Sequence, residues 1–256
     1  MKITSLVENT TCNSLYGCEH GLSLYIETND HKILFDMGCS DLFYHNACKL
    51  GVDLSKCDIA VLSHGHYDHG GGLSTFLSIN STAKVYISKH AFGMYYNSDK
   101  YIGLDQSLKD NERIVFVDDK LELDTNLTLY SCNDKDKEFN LSSFGLSKKI
   151  DDTLVDDDFL HEQYLLIKDN KNVLISGCSH KGILDITRWF SPDVLVGGFH
   201  FSKLALDDTL KSYASYLNSF DTAFYTCHCT GVEQYEFMRK FMKNLNYLST
   251  GMTIEI

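Results

Sequence analysis

The stretch Asp58-Ile59-Ala60-Val61-Leu62 runs directly into Ser63-His64-Gly65-His66-Tyr67-Asp68-His69-Gly70, and this junction constrains the fold more than any other part of the chain. A compact apolar run bounded by turn residues reads as a buried strand. Three imidazoles and one carboxylate therefore leave the end of a core strand on one short loop. Imidazole suits zinc, iron and similar metals, while a carboxylate adds charge and orients a bound water. Gly65 and the run Gly70-Gly71-Gly72 relieve crowding where such a loop bends sharply. A solvated histidine-rich turn rarely follows a buried strand with this spacing, so His64, His66, Asp68 and His69 are read as metal ligands.

One loop cannot close two metal sites, so further ligands must come from distant segments. His228, in Thr226-Cys227-His228-Cys229-Thr230-Gly231, stands where a strand ends and a helix begins. Cys178 and His180, in Ser176-Gly177-Cys178-Ser179-His180, also stand at a strand's end. Two positions apart, they point the same way if extended, and a thiolate there is a good soft ligand. If 163–168 and 172–176 pair as a hairpin about Asn170, position 161 falls opposite 178–180. His161, Cys178 and His180 then share one end of the sheet. His200, which follows the strand Val194-Leu195-Val196-Gly197-Gly198-Phe199, is expected to line the pocket. His20, His31, His45 and His90 have no supporting constellation.

Around this junction the chain alternates strands and helices. Gly21–Glu27 and Lys32–Phe35 flank Asn29-Asp30 as a hairpin, and a helix follows from about Ser40 to Leu50, capped by Ser40 or Asp41. Strands are expected near 113–117 and 127–131, with a polar loop from Asn133 to Lys149. Helices near 182–190, 206–219 and 231–244 alternate with strands near 193–197 and 222–226, and a last strand covers 252–256. No repeat or linker divides the chain, so one domain over residues 1–256 is expected, built as two packed sheets with helices outside.

Composition narrows the partners. The net charge is -12, and no basic stripe of the kind that displaces counterions from phosphates is present, so nucleic acid is not the expected partner. Asp156-Asp157-Asp158 reads as a solvated loop. No apolar run reaches the roughly 18 residues that cross a bilayer, and the first residues read as a strand rather than a signal peptide. The expectation is a cytoplasmic protein. Most of its nine cysteines are then free thiols, with Cys12, Cys39, Cys48, Cys57 and Cys132 as small, mostly buried hydrophobes. Cys178, Cys227 and Cys229 differ in standing beside histidines.

His64-x-His66-x-Asp68-His69 is similar to the signature of the metallo-β-lactamase superfamily, and Phe35-Asp36-Met37-Gly38 resembles the aspartate motif that precedes it. More narrowly, the chain resembles the subgroup of dihydropterin-yl-methyl ribofuranosylaminobenzene phosphate synthases. That likeness rests on the His64 loop, Ser176-Gly177-Cys178-Ser179-His180-Lys181-Gly182-Ile183, Val196-Gly197-Gly198-Phe199-His200 and Cys227-His228-Cys229-Thr230-Gly231. The resemblance implies an α/β fold, a four-layer αββα sandwich of two mixed sheets with metals at one edge. It implies His64 and His66 on a first metal, Asp68 and His69 on a second, and His228 as the last ligand of the second. Cys178 matches the bridging position, usually an aspartate. The third ligand of the first site is His161 or His180, and the sequence leaves both open. The implied cofactor is one or two divalent ions, zinc first, with iron or manganese as alternatives.

Such a site hydrolyses small ester, phosphoester or related substrates with a metal-activated water. Asp68 would orient the water and take its proton, and His180 or His200 would stabilise developing charge or donate a proton. The subgroup implies instead a transferase that joins a pterin to a ribofuranosylaminobenzene phosphate, with Lys181 at a helix start meeting the phosphate. A non-catalytic metal-binding sensor is the third reading.

Overall fold

Alternation within uninterrupted apolar runs decides the layering. In the computed structural model, which describes residues 1–256, the strand Ile59–Leu62 turns Ile59 and Val61 to one core and Ala60 and Leu62 to another. The strand Tyr164–Lys168 sends Leu165 and Ile167 into the core of Ile59 and Val61, and Tyr164 and Leu166 into a third. Successive side chains of a strand face opposite sides, so the shared core lies between two sheets. Each sheet has seven strands. The first runs Thr253–Glu255, Lys2–Val7, Ser23–Glu27, Lys32–Phe35, Ile59–Leu62, Lys84–Ser88, Ile114–Val117 in spatial order. The second runs Leu245–Tyr247, Ala223–Thr226, Val194–Gly197, Asn172–Ile175, Tyr164–Lys168, Leu127–Tyr130, Lys120–Glu122.

Helices close both outer faces. Phe43 and Ala47 of Leu42–Leu50, with Leu73 and Phe76 of Leu73–Ile79, cover the first sheet. Ile183–Phe190, Asp208–Leu217 and Val232–Met238 cover the second through Leu184, Leu210, Ala214 and Met238. The result is the αββα sandwich that the motifs implied. Each fully buried Leu, Ile, Val or Phe contributes about 1.5–3 kcal/mol, so strands buried on both faces form a rigid frame for the loops at their ends. No helix is long and apolar enough to cross a membrane.

Departures from expectation concentrate between residues 91 and 160. The polar loop ends before Lys149, because Leu146–Ile150 is a strand paired with Thr153–Asp156 and with Tyr95–Asn97. Lys100–Tyr101 completes this third, four-stranded sheet. Its strands are short and largely solvated, so no apolar period marks them. The helix expected over 231–244 stops at Met238, and Leu245–Tyr247 is an edge strand instead. Ser40, rather than Asp41, supplies the oxygen that accepts from the first helical N–H, that of Leu42. Cys57 and Cys132 are buried as expected, but Cys12 and Cys48 are exposed and Cys39 is half-buried. Cys48 faces out from its helix and Cys12 lies on a surface loop, where no core is available to either.

At the end of the sandwich away from the His64 loop, His31 joins the two sheets. Its Nδ1 meets Asp58, just before the strand Ile59–Leu62, and its Nε2 lies 2.7 Å from Asp124 in the turn before Leu127–Tyr130. Burial opposes the imidazolium, but the two carboxylates outweigh it and raise the His31 pKa. A raised folded-state pKa gives stability that is full below the unfolded value near 6.5 and lost as pH rises through the folded value. Thermal melts at pH 6 and pH 9 should therefore differ more for the parent than for His31→Ala. The excess should be at most about 2–4 °C, since both carboxylates are partly solvated. Equal pH responses would remove His31 as the cause.

Candidate metal centre

Parallel strands deliver most of the site residues. Asp36 and Ser63-His64 follow Lys32–Phe35 and Ile59–Leu62 in the first sheet. Cys178, His200 and His228 lie beyond Asn172–Ile175, Val194–Gly197 and Ala223–Thr226 in the second. Ligand sites in α/β sheets form beyond the carboxyl ends of such strands. The chain turns so sharply there that Asp36, Ser179, His200 and His228 adopt φ of 59°, 58°, 56° and 48°. Non-glycine residues seldom occupy this left-handed region, and such strain clusters at functional sites. Gly65 separates His64 from His66 because a Cβ there would lie 2.1 Å from the Ala91 carbonyl oxygen. Asp68 and His69 sit in the single helical turn Tyr67–Gly70.

The side chains converge in five sets, three of them sharing the Cys178 sulfur and the others being His20, Asp68, His228 and His66, Asp157, His161; two of the sharing sets are wholly buried. His64, Cys178 and His180 form one set, and His69, Cys178 and His228 the other, all buried. His64 Nε2 is 3.3 Å from His180 Nε2. His69 Nε2 is 3.2 Å from both Cys178 Sγ and His228 Nε2. Ligands about 2.0–2.3 Å from a tetrahedral ion lie about 3.3–3.7 Å from one another, so these spacings fit a metal ion. The His66 ring is 4.6 Å from the His64 ring and 5.0 Å from the His180 ring, and its Nε2 is buried without a hydrogen-bond partner. An orphaned buried nitrogen is costly unless something binds it. Asp68 Oδ2 lies 3.4 Å from His228 Nε2 and 3.8 Å from His69 Nε2.

Outer hydrogen bonds aim the imidazoles. His64 Nδ1 meets Ser63 Oγ at 2.8 Å, His69 Nδ1 meets Asp36 Oδ2 at 2.6 Å, and His228 Nδ1 meets Asn9 Oδ1 at 2.8 Å. Ligating histidines use their second nitrogen in this way, which leaves Nε2 for the ion. Burial, reinforced by neighbouring imidazoles, holds the His64 and His180 pKa values well below the ordinary range, so both offer lone pairs. His69 differs, since burial opposes its charge but Asp36 and Asp68 raise it to about 9. Burial also opposes the charge of Asp68, yet His69, His20 and His228 hold that carboxyl well below its usual value. Burial pushes the Cys178 thiol well above its ordinary value, and a cation held beside it would favour the thiolate.

The structure distinguishes His161 from His180. His161 reaches the same sheet end, with its ring 5.0 Å from that of His66. Its Nδ1 accepts from the Gly65 N–H at 2.9 Å, so its proton sits on Nε2, which donates to Asp157 at 3.0 Å. That tautomer faces a carboxylate, whereas His180 Nε2 faces His64. Asp157 is a site residue that the acidic run concealed. It is buried rather than solvated, and although burial opposes its charge, His161 and His66 hold its pKa below the ordinary range. His20 was also missed, although its Nε2 is 3.2 Å from Asp68 Oδ2 and its ring 4.8 Å from that of His228. Nothing local in the sequence signals either contact.

A cavity of about 180 Å³ opens onto these residues, and His200 and Cys229 line it as well. The His200 ring is 4.3 Å from the His180 ring, and its Nδ1 has no partner. Lys181 does not face the cavity. It is buried, and its Nζ donates to the Ser131 and Glu162 carbonyls at 2.7 Å each, so the phosphate contact expected of it is corrected. Lys100 and Lys203 are the cations on the cavity wall, and Asp68 is its one carboxylate.

Comparison with known proteins agrees with this architecture. The sequence profile of the metallo-β-lactamase superfamily matches residues 16–140. An uncharacterised protein of Methanocaldococcus jannaschii, MJ0448, is 29% identical over 238 residues, 90% of each chain. The 7,8-dihydropterin-6-methyl-4-(β-D-ribofuranosyl)-aminobenzene-5'-phosphate synthase of the same organism is 26% identical, covering 100% of this chain and 96% of its own. The crystal structure of Tm1679, described as a metal-dependent hydrolase of the β-lactamase superfamily, superposes with a TM-score of 0.85 at 29% identity, covering 100% of this chain and 99% of its own. With that profile match, those relatives and the sandwich itself, the chain carries the fold and the metal-binding motif of the metallo-β-lactamase superfamily.

Proposed function

We propose that this protein is a metal-dependent hydrolase of small molecules, with His64, His66, His180 and Cys178 around one ion and Asp68, His69, His228 and Cys178 around a second. The observation that carries this reading is the Cys178 sulfur shared by two imidazole sets at ligand spacing. His161 donates its Nε2 proton to Asp157 instead of ligating. Zinc suits this nitrogen and sulfur donor set, with iron or manganese as alternatives. A bound divalent ion lowers the pKa of water from about 15.7 toward 7 and polarises a carbonyl or phosphoryl oxygen. Asp68 orients the attacking water and holds its proton, kept anionic by His20, His69 and His228. His200, which lines the cavity, donates a proton to the leaving group. The domain spans residues 1–256 and acts in the cytoplasm.

Lys100 and Lys203 favour a substrate that carries an anionic group such as a phosphate, in a protein otherwise rich in negative charge. Lys100→Ala and Lys203→Ala should each raise KM for a phosphoester about 10-fold or more with kcat little changed, the scale of a charged hydrogen bond. Neutral ester hydrolysis should be unaffected, and equal effects on both substrates would reassign the lysines to packing.

The direct test is turnover of a panel of esters, phosphoesters and lactones by zinc-loaded protein, with metal-free protein as the control. Metal binding without turnover would favour a sensor. The second reading, synthesis of a pterin–ribofuranosylaminobenzene phosphate conjugate, is favoured by the full-length similarity to the Methanocaldococcus jannaschii synthase. Conjugate formed from pterin and ribosylated aminobenzene phosphate, with no hydrolysis of the panel, would establish it.

A further inference from the structure

Cys229 has no part in either ion set, yet its thiol is directed at Cys178. Its Sγ–H donates to the Cys178 carbonyl at 3.4 Å, and the ligand atoms of Cys178, His200 and Cys229 lie within 4.8 Å of one another. The space for this thiol exists because residue 198 is glycine, where a Cβ would stand 2.3 Å from Cys229 Sγ. Both cysteines line the cavity, and both are nearly buried, at 3% and 6% exposure. A molecule as small as hydrogen peroxide can reach them there.

We propose that Cys178 and Cys229 are a redox-active pair, oxidised by hydroperoxides to a disulfide that withdraws the shared ligand and releases the metal. The Cys178 thiolate attacks one peroxide oxygen, so an S–O bond forms and the O–O bond breaks. The departing hydroxide takes a proton and leaves as water, and Cys178 becomes a sulfenic acid. Cys229 then attacks Cys178 Sγ, the S–S bond forms, the S–O bond breaks, and the thiol proton leaves with the oxygen as a second water. Two thiols lose two electrons and one peroxide is reduced to two waters. A side-chain rotation brings the sulfurs to the roughly 2.05 Å of the bond. A disulfide sulfur has no thiolate charge, so the ion sets lose the atom they share. Intracellular disulfides of this kind are characteristically transient and redox-sensing.

The release of metal rests on the proposed ligand role of Cys178, whereas the cross-link does not. Zinc-loaded protein would be treated with equimolar hydrogen peroxide, alkylated, digested without reductant and analysed by mass spectrometry, with a chromogenic chelator following zinc. The expected product joins the peptide of Cys178 to that of Cys229, two hydrogens lighter, and is reversed by dithiothreitol. Fragmentation must place the bond, since Cys227 shares a tryptic peptide with Cys229. Zinc should be released in step with the cross-link and rebind on reduction. In Cys229→Ser treated with two or more equivalents of peroxide, one for each step, Cys178 should instead pass through sulfenic to sulfinic acid, which dithiothreitol does not reverse. Sulfinic acid at Cys178 in the parent, oxidation confined to the exposed Cys12, Cys18 and Cys48, or both thiols protected with zinc retained would overturn the proposal. A cross-link with zinc fully retained would keep the redox pair and overturn the ligand role of Cys178.

Discussion

Asp68→Asn should leave the sandwich folded and the His64/His66/His180 ion in place while turnover falls by about 10²-fold or more, the scale of losing a positioned base. Asparagine keeps the size and one acceptor oxygen but removes the charge that His20, His69 and His228 surround. The loss should appear in kcat rather than KM, because the carboxylate acts on the attacking water and not on the resting substrate. His66→Ala offers the contrast, since it deletes the ring whose Nε2 is buried without a partner and should lose metal and rate together. Elemental analysis beside the rate for both variants separates the two roles. Near-parental turnover by Asp68→Asn at full metal occupancy would leave the mechanism without its base.

Cys178→Ala should empty both ion positions, whereas the loss of an outer partner should weaken only one. The Cys178 sulfur belongs to both imidazole sets, so its removal leaves each with an incomplete shell. Asn9→Ala is the control, because His228 is the one proposed ligand that Asn9 contacts, its other partners being His20 and the Gly21 N–H, and outer partners of ligands contribute about 10–100-fold in affinity. Metal titration should show Cys178→Ala below the affinity of Asn9→Ala, with activity absent. Retention of two ions by Cys178→Ala would mean that the sets are independent and that the sulfur bridges nothing.

How far the site could be read in advance follows from how local each contact is. His64 to His69 and His228 stood out because histidines at the ends of apolar runs have few structural explanations. The ends of Asn172–Ile175 and Val194–Gly197 were equally plain, since strands buried on both faces read as continuous apolar runs. The small sheet of Tyr95–Asn97 and Leu146–Ile150 escaped notice because partly solvated strands lack that pattern. Asp157 looked like one of three solvated acids, and only the fold shows that it alone turns inward to His161. The proposed preference for His180 over His161 rests on the backbone N–H of Gly65, which no spacing argument supplies.

The first sheet ends on Thr253–Glu255, which pairs with Lys2–Val7 across almost the whole length of the chain. During synthesis its strand neighbours therefore wait for the last residues to emerge, and pairings this distant in sequence make folding slow. The His64 loop is translated before Cys178 and His228, by roughly 5–30 seconds at about 5–20 residues per second. For that interval the early imidazoles have Ser63 and Asp36 as partners but lack the later members of the proposed ion sets. On the proposed ligand sets, a complete ion shell would exist only once the second sheet has brought Cys178 and His228 against the His64 loop.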